Sequence, residues 1–291
     1  MFFIERRGGA APLMTKVTSL RRTMKMKQFG KTKWTGLLRC ALLTLLLVMM
    51  MAPTALGARR TVLVHNVREM MEALGDHTEI ILAPGQYNLS AWLRGPFADP
   101  VIHNFAWNPI SPPGLYRVYH ELELAGFQDL TIRGQDTEAI TAEIVTEDPY
   151  SSVFKFLNCQ QIRLAHLRFG HIQQEGHCTG AVLNLEQVKD ASLDHLDLYG
   201  CGTYGYEARR CKNILLRDSV IRGCTYGLVS ATECQNLKIV RTTFKDTSTN
   251  LSLFEVNHSR LELLDCTFQN VLGKINSLDM TEGKVVQIYE I

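Results

Sequence analysis

A parallel β-helix, an all-β solenoid of stacked coils, is the fold class this sequence predicts. Three observations predict it: one segment recurs, it recurs at a nearly fixed period, and its apolar residues alternate in twos. The copies are CQQIRLAHLRFG from Cys159, VKDASLDHLDLYG from Val188, CKNILLRDSVIRG from Cys211, CQNLKIVRTTFKD from Cys234 and HSRLELLDCTFQN from His258. Their starts lie 29, 23, 23 and 24 residues apart, a period that marks coils each covering the apolar face of the next. Apolar or small residues stand three, five, eight and ten places after each start, as in Ile162, Leu164, Leu167 and Phe169. Two period-2 pairs split by a two-residue bend describe strands rather than a helix. The L-x-x-L-x-L-x-x-N pattern of leucine-rich solenoids, with its helical half-repeat, is absent.

Upstream of the repeats the chain divides in two. Met1 to Arg39 carries many Lys and Arg with a single acid, Glu5, and leads into the apolar run CALLTLLLVMMMA, Cys40 to Ala52, then PTALGA. A basic stretch, a 13-residue apolar core and a small-x-small site predict a secretory signal cut after Gly57. The core is short for a membrane span, which needs about 20 residues. The expected organisation is therefore a basic region plus signal peptide over 1–57 and a single β-helix domain over 58–291. The mature chain is expected in the periplasm or outside the cell, without stable membrane insertion and as a monomer. A net charge of +2 gives no global attraction to nucleic acid.

Asn66 is placed to cap a short helix with Val67, Met70, Met71 and Leu74 on its apolar face and Gly75 as its stop. That helix is expected to cover the first coil, whose edge would otherwise invite strand addition. EIILAPGQY reads as a strand and turn, Trp92 to Gly114 as a long Pro- and aromatic-rich loop, and FQDLTIRG as a strand again. At the other end, KVVQIYEI from Lys284 is expected to finish the last coil.

Cysteine spacing follows the coils. Cys178, Cys201 and Cys224 fall 23 apart, and Cys211 and Cys234 start a second ladder. A disulfide wants Cβ atoms about 3.8 Å apart, less than the ~4.8 Å between neighbouring strands. Buried thiols acting as small core residues are the expectation, Cys178 included.

The chain from about Thr61 onward resembles the pectin-lyase-like right-handed parallel β-helix superfamily. Within it, the chain is similar to an uncharacterised group of exported bacterial β-helix repeat proteins, through GHIQQEGHCTGAV, LYGCGTYGY, RGCTYGL and EIILAPGQYNL. The resemblance implies a right-handed solenoid. The superfamily spans polysaccharide lyases and hydrolases as well as adhesins. Two of its catalytic signatures are missing here: paired aspartates with Gly-His-Gly and Arg-x-Lys, and Trp-Ile-Asp-His.

A site is therefore expected from the one irregular interval. Between Phe169 and Cys178 the first copy is six residues longer than the next two, and the added residues fall within HIQQEGH. A loop excursion on a rigid ladder can wall a cleft. His171, Glu175 and His177 project from it, and neighbouring turns offer Tyr199, Tyr204, Tyr206, Glu207 and Arg222. Aromatic faces stack on sugar rings, Arg pairs with a uronate, and Glu, His or Tyr transfers a proton. For β-elimination Arg222 would neutralise the carboxylate and His171 or Tyr204 would take the proton. For hydrolysis Glu175 and Glu207 would form the carboxylate pair. His177, Tyr199 and Tyr206 would bind the chain. The expected partner is a polysaccharide or cell-envelope glycan, and non-catalytic binding or a structural, adhesive role stands beside the enzyme readings.

A polar row, His166, His195, Asp218, Arg241 and Asp265, falls in the bend of each copy, flanked by Asp194 and Arg217. It reads as a solvated charge ladder. No metal or other cofactor is expected; were an ion held by Asp194, His195, Asp197 and Asp218, calcium would suit the carboxylates best.

Overall fold

The structure, a computed structural model, describes residues 59–94, 114–118, 121–174, 177–200, 203–274 and 288–289. The signal segment, Glu175 and most of the Pro- and aromatic-rich loop lie outside them. The opening strand β1 (Arg60–Val64) leads into helix α1 (Val67–Ala73), then β2 (Thr78–Leu82), β3 (Gly85–Asn88) and helix α2 (Leu89–Arg94). After β4 (Gly114–Val118) come β5 (Glu121–Ala125), β6 (Leu130–Gly134), β7 (Ala142–Thr146), β8 (Phe154–Leu157) and β9 (Gln160–His171). The regular coils follow as β10 (Leu183–Glu186), β11 (Lys189–Tyr199), β12 (Tyr204–Arg209), β13 (Lys212–Arg217), β14 (Val220–Arg222), β15 (Gly227–Thr232) and β16 (Gln235–Val240). The chain continues through β17 (Thr243–Ser252), β18 (Phe254–Asn257), β19 (Arg260–Leu264), β20 (Thr267–Lys274) and β21 (Ile288–Tyr289).

These strands form two sheets that are parallel almost throughout. One runs β1-β2-β6-β9-β11-β13-β16-β19-β21 with β3, β7, β14, β17 and β20 branching from it; the other runs β18-β15-β12-β10-β8-β5-β4. Each sequence copy stacks on the next in the expected register. Ile162, Ala191, Ile214, Leu237 and Leu261 form one column, and Phe169, Leu198, Ile221, Phe244 and Phe268 another. All but Phe268, which packs against it, belong to one continuous buried core. Phe244 and Phe268 stack at 5.1 Å, the aromatic ladder that parallel in-register stacking produces.

Each bend is a left-handed residue. His166, His195, Asp218, Arg241 and Asp265 all have φ between 46° and 53°, conformations that Asn, Asp and His tolerate better than other residues. The polar row is thus a column of bends, where His166 stacks on His195 at 4.7 Å and Arg241 grips Asp218 at 2.6 and 2.7 Å.

Corners use a second device. Ser219 Oγ donates to the Arg217 carbonyl at 2.6 Å and accepts from the Leu196 amide of the previous coil at 3.0 Å. Cys234 does the same with sulfur, donating to Thr232 and accepting from the Cys211 amide, both at 3.3 Å, and Ser259 repeats it for the Cys234 amide. Cys159, Cys211, Cys224, Cys234 and Cys266 are buried thiols, each donating to the carbonyl two residues before it. Cys178 departs from this expectation, being disulfide-bonded with a partner outside the described residues. It directly follows the lengthened stretch of the first copy, the irregular part of the repeat.

At the ends, α1 has Asn66 as N-cap, accepting from the Glu69 amide at 3.0 Å, while Glu69 Oε2 accepts from the His65 amide at 2.7 Å, a reciprocal cap. The helix stops at Leu74, which turns extended, one residue before the expected glycine. Met70 and Met71 join the core. Helix α2 (Leu89–Arg94) runs into the start of the loop expected from Trp92, and β21 pairs antiparallel with Arg260 and Leu261 instead of continuing the parallel coil. Among the described residues no helix is long and apolar enough to cross a membrane.

Candidate functional site

Outward-facing residues of neighbouring coils fall into register and so build polar columns. One passes Gln86, Glu143, Arg168 and Asp197; its neighbour passes Val145, Gly170, Tyr199, Arg222 and Lys245. Asp197, 8% exposed, lies between two guanidinium groups. Arg168 Nε donates to its Oδ2 at 2.8 Å, while Arg222 donates through Nε to Oδ1 at 2.8 Å and through Nη2 to Oδ2 at 3.0 Å. The Asp197 bonds raise the Arg222 pKa further, so its charge is permanent.

Tyr199 is held as firmly. Its hydroxyl donates to Glu143 Oε1 at 2.8 Å, and Gln86 Nε2 donates to the other Glu143 oxygen at 3.0 Å. Its ring lies flat over Gly170, where an added Cβ would come within 2.1 Å of the ring. The Arg222 guanidinium covers the ring from the next coil, 4.8 Å from the centroid, a cation–π contact. Burial and the Glu143 carboxylate push the Tyr199 phenol well above its ordinary pKa.

These residues border a cavity of about 380 Å³ lined by Gln86, His171, Ile172, Gln173, Tyr199, Gly200, Arg222 and Gly223, a volume within the usual range for small-ligand sites. The insert supplies one wall, as expected. Gly200 (φ 136°) and Gly223 (φ 64°) supply positive-φ backbone that other residues adopt only with strain.

His171 reaches the cavity from a buried position, 2% exposed. Its Nε2 donates to the Ser151 carbonyl at 2.9 Å, and burial lowers its pKa, so the ring is neutral with its lone pair on Nδ1. That atom has no hydrogen-bond partner among the described residues, and neither does Gln173 Oε1. Gln173 Nε2 is committed to the Glu147 carbonyl.

The structure therefore unites His171, Tyr199 and Arg222 and separates His177, Tyr204, Tyr206 and Glu207 from them, while Glu175 lies outside the described residues. Tyr206 is 1% exposed and belongs to the core, because two successive residues, Gly205 and Tyr206, turn inward at this corner: a Cβ on Gly205 would meet Ile221 and Cys224. It is not placed to bind a substrate. Tyr204 and Glu207 sit on the second sheet and do not line the cavity. There Tyr204 donates to Glu255, Asn184 donates to Glu207 at 3.3 Å, and Lys155 meets Glu121 and Glu123 at 3.2 and 3.1 Å. Burial raises the Glu207 pKa, and the nearby Glu121 adds to it. His177 is exposed, its amide bonded to the Gln174 carbonyl at 3.1 Å. Tyr199 is present but not as a free stacking platform, since Gly170 and Arg222 take its two faces.

Arg168, Asp197 as an arginine anchor, Glu143, Gln86 and Gln173 were not expected here. The repeat alignment held the signal for two of them: Arg168 and Asp197 both stand nine places after their starts, and Gly170, Tyr199 and Arg222 eleven. Gln86 and Glu143 belong to coils outside the aligned copies.

Of the metal candidates, Asp194, His195 and Asp218 bring ligand atoms within 4.8 Å of one another, whereas Asp197 belongs to the arginine pair. Asp194 already serves Arg217 and His195, and Asp218 serves Arg241. A cation there would compete with those guanidinium groups for the same oxygens.

No protein-family model and no curated protein matches the chain. Among solved structures it is similar to an alginate lyase from Paenibacillus sp. str. FPU-7, at 15% identity and a TM-score of 0.39 over 76% of this chain and 78% of that one. A putative glycosyl hydrolase from Parabacteroides merdae ATCC 43184 gives 12% identity and 0.37 over 74% and 98%. The mannuronan C-5 epimerase AlgE4 A-module of Azotobacter vinelandii gives 7% and 0.20 over 74% and 100%. What those proteins act on is a property of those proteins, and the function proposed for this chain rests on its own residues.

Proposed function

We propose that this chain is an exported, right-handed parallel β-helix protein that engages an acidic polysaccharide in the Tyr199–Arg222 cavity. The observation that carries the reading is the fixed guanidinium of Arg222. Asp197 uses two of its five N–H groups, Tyr199 holds its plane, and the remaining N–H groups have the fork geometry that suits a carboxylate. Arg168 shares Asp197 from the neighbouring coil, and the next carboxylate of that column, Glu143, is taken up by Tyr199 and Gln86. The charge that Arg222 presents to the cavity favours a uronate over a neutral sugar.

Of the two cleavage chemistries, β-elimination has the better support. It needs a cation on the uronate and a proton carrier, and the cavity offers Arg222 with the neutral imidazole of His171 and the Tyr199 phenol. Hydrolysis needs two carboxylates facing one bond, and Glu207 lies on the other sheet. Non-catalytic binding would use the same Arg222 fork without proton transfer. On this reading α1 covers the open end of the first coil, and the basic and apolar segment over 1–57 directs export. The protein acts alone in the periplasm or outside the cell, without a cofactor.

The test is to incubate the purified protein with a panel of acidic and neutral polysaccharides. Binding would be measured by calorimetry, and cleavage by absorbance near 235 nm alongside reducing ends. Binding restricted to acidic polymers and lost in Arg222→Ala is expected; absorbance that rises with it establishes elimination. Reducing ends without absorbance would replace elimination by hydrolysis. Equal binding of neutral polymers, or none of acidic ones, would overturn the reading.

A further inference from the structure

The chain has eight cysteines, and five of them, Cys159, Cys211, Cys224, Cys234 and Cys266, are thiols. Cys178 is disulfide-bonded, which leaves Cys40 and Cys201, both outside the described residues, to partner it. Register separates the two. Thr203 donates through its amide to the Gly180 carbonyl at 3.2 Å and through Oγ1 to the Thr179 carbonyl at 3.1 Å. Leu183 faces Tyr206 at the same offset. Residues 23 apart therefore stand on neighbouring coils here, and Cys178 and Cys201 are 23 apart. Neighbouring parallel strands lie about 4.8 Å apart, inside the ~4.4–6.8 Å between Cα atoms that a disulfide spans, so the Cβ atoms have about 1 Å to close. Cys211 and Cys234 hold the same relation as thiols, their sulfurs committed to the corner: Cys234 Sγ accepts from the Cys211 amide at 3.3 Å and Cys211 Sγ donates to the Leu185 carbonyl at 3.2 Å.

We infer that Cys178 is bonded to Cys201, and that this link pins the far end of the insert to the turn that carries Gly200, so that acidic-glycan binding depends on the disulfide. The pairing stands on the register; its effect on binding rests on the acidic-glycan reading. Ile172 and Gln173 of the insert line the cavity, and Gly200 lines it from the next coil. Packing fixes the near end of the insert, since a Cβ on Gly200 would stand 3.0 Å from the His171 amide nitrogen. Its far end reaches Cys178, and Cys201 directly follows Gly200, so one covalent bond ties together the two stretches that border the cavity. Ile172 is half exposed and has little burial of its own to hold that wall. A tether that removes the freedom of the wall lowers the ordering cost of binding. The bond forms by exchange: two protein thiols and oxidised glutathione give the protein disulfide and two reduced glutathiones, a reaction that the oxidising compartment of an exported protein supplies.

The experiment starts from protein purified without reductant from an oxidising compartment and digested with trypsin. Cys178 then falls in Phe169–Lys189, Cys201 in Asp190–Arg209 and Cys40 in Cys40–Arg59, so mass spectrometry identifies the pair. Phe169–Lys189 joined to Asp190–Arg209, and released by dithiothreitol, is the expected result. Cys178 joined to any other cysteine, or recovered as a thiol, would overturn the pairing. Calorimetry with alginate and polygalacturonate then compares the oxidised protein, the dithiothreitol-reduced protein and the double variant Cys178→Ser, Cys201→Ser, at a temperature where circular dichroism shows all three folded. Affinity is expected to fall on the order of tenfold in the last two and to return when oxidised glutathione restores the link in wild type. Undiminished affinity in the reduced protein and the double variant would overturn the role of the link at the cavity and leave the acidic-glycan reading intact. Failure of the oxidised protein to bind either polymer would sink that reading and the role together, while the peptide map still decides the pairing.

Discussion

Gly170 shows how one residue sets the site. Because its Cα has no side chain, the Tyr199 ring lies directly on the coil below, and Arg222 then lies on Tyr199. In Gly170→Ala the new Cβ, 2.1 Å from the ring, must push Tyr199 outward. The expected outcome is loss of the Tyr199–Glu143 bond, a stability cost of about 1–3 kcal/mol from overpacking, and glycan affinity lowered with it. Urea unfolding and calorimetry on the one variant would check both. Asp197→Asn tests the other anchor. It leaves Arg168 and Arg222 facing each other without a full counter-charge, so stability should fall by about 1–3 kcal/mol and more steeply at low salt, where repulsion is least screened. The site was legible in part. His171, Tyr199 and Arg222 could be nominated because the insert and the repeat register are visible in the sequence. Tyr206 could not be told from Tyr204, because strand alternation fails where two successive residues turn inward, and Gln173 looked like ordinary loop polarity.

At the scale of the elements, the coils are joined by corners in which a hydroxyl or thiol links one turn to the amide of the turn before. The chain uses Ser219, Cys234, Thr247 and Ser259 interchangeably for this, which gives Cys234 a role at the coil period that needs no disulfide. Cys234→Ser should therefore leave stability within about 1 kcal/mol of wild type, since Ser259 performs the same task one coil on. Cys234→Val, matched in size but without an acceptor, leaves the Cys211 amide buried and unpaired and should cost about 1–3 kcal/mol. A urea midpoint that falls equally for both would assign the residue to packing alone. The five copies from Cys159 onward were readable because, after one interval of 29, their apolar columns repeat at 23 or 24 residues. The earlier coils were not, since Val62 pairs with Ile80, Ile80 with Ile132 and Ile132 with Leu164, and no fixed period survives those intervals.

For the whole molecule, stacking turns sequence columns into lines of charge, and the two sheets carry different ones. The cavity face gathers arginines around Asp197. The second sheet carries Glu121, Glu123, Glu186, Glu207 and Glu255, and the Lys155 ammonium reaches the first three of them. Glu207 is the member this arrangement serves worst, partly buried, with its pKa raised by that burial and by neighbouring carboxylates. The sign of its effect follows from linkage. With a folded-state pKa above the unfolded one, the folded protein holds the Glu207 proton over the interval between the two values. Its ionised form is a liability at higher pH that disappears as pH falls through the folded pKa. Glu207→Gln keeps an oxygen to accept from Asn184 and removes the ionisation. The variant should be more stable than wild type at pH 8, by an amount that shrinks steadily toward pH 5. Below the ordinary carboxylate range, near pH 4, both proteins should weaken together. There Glu79, held low by its bond from Arg133, and Asp218, held low by Arg241, take up protons that their folded-state partners resist. Paired urea titrations across pH 4 to 8 measure the difference directly. A gap between variant and wild type that does not vary with pH would mean that Glu207 is solvated well enough to carry its charge at no cost, and that the carboxylate column is surface decoration rather than a strained line.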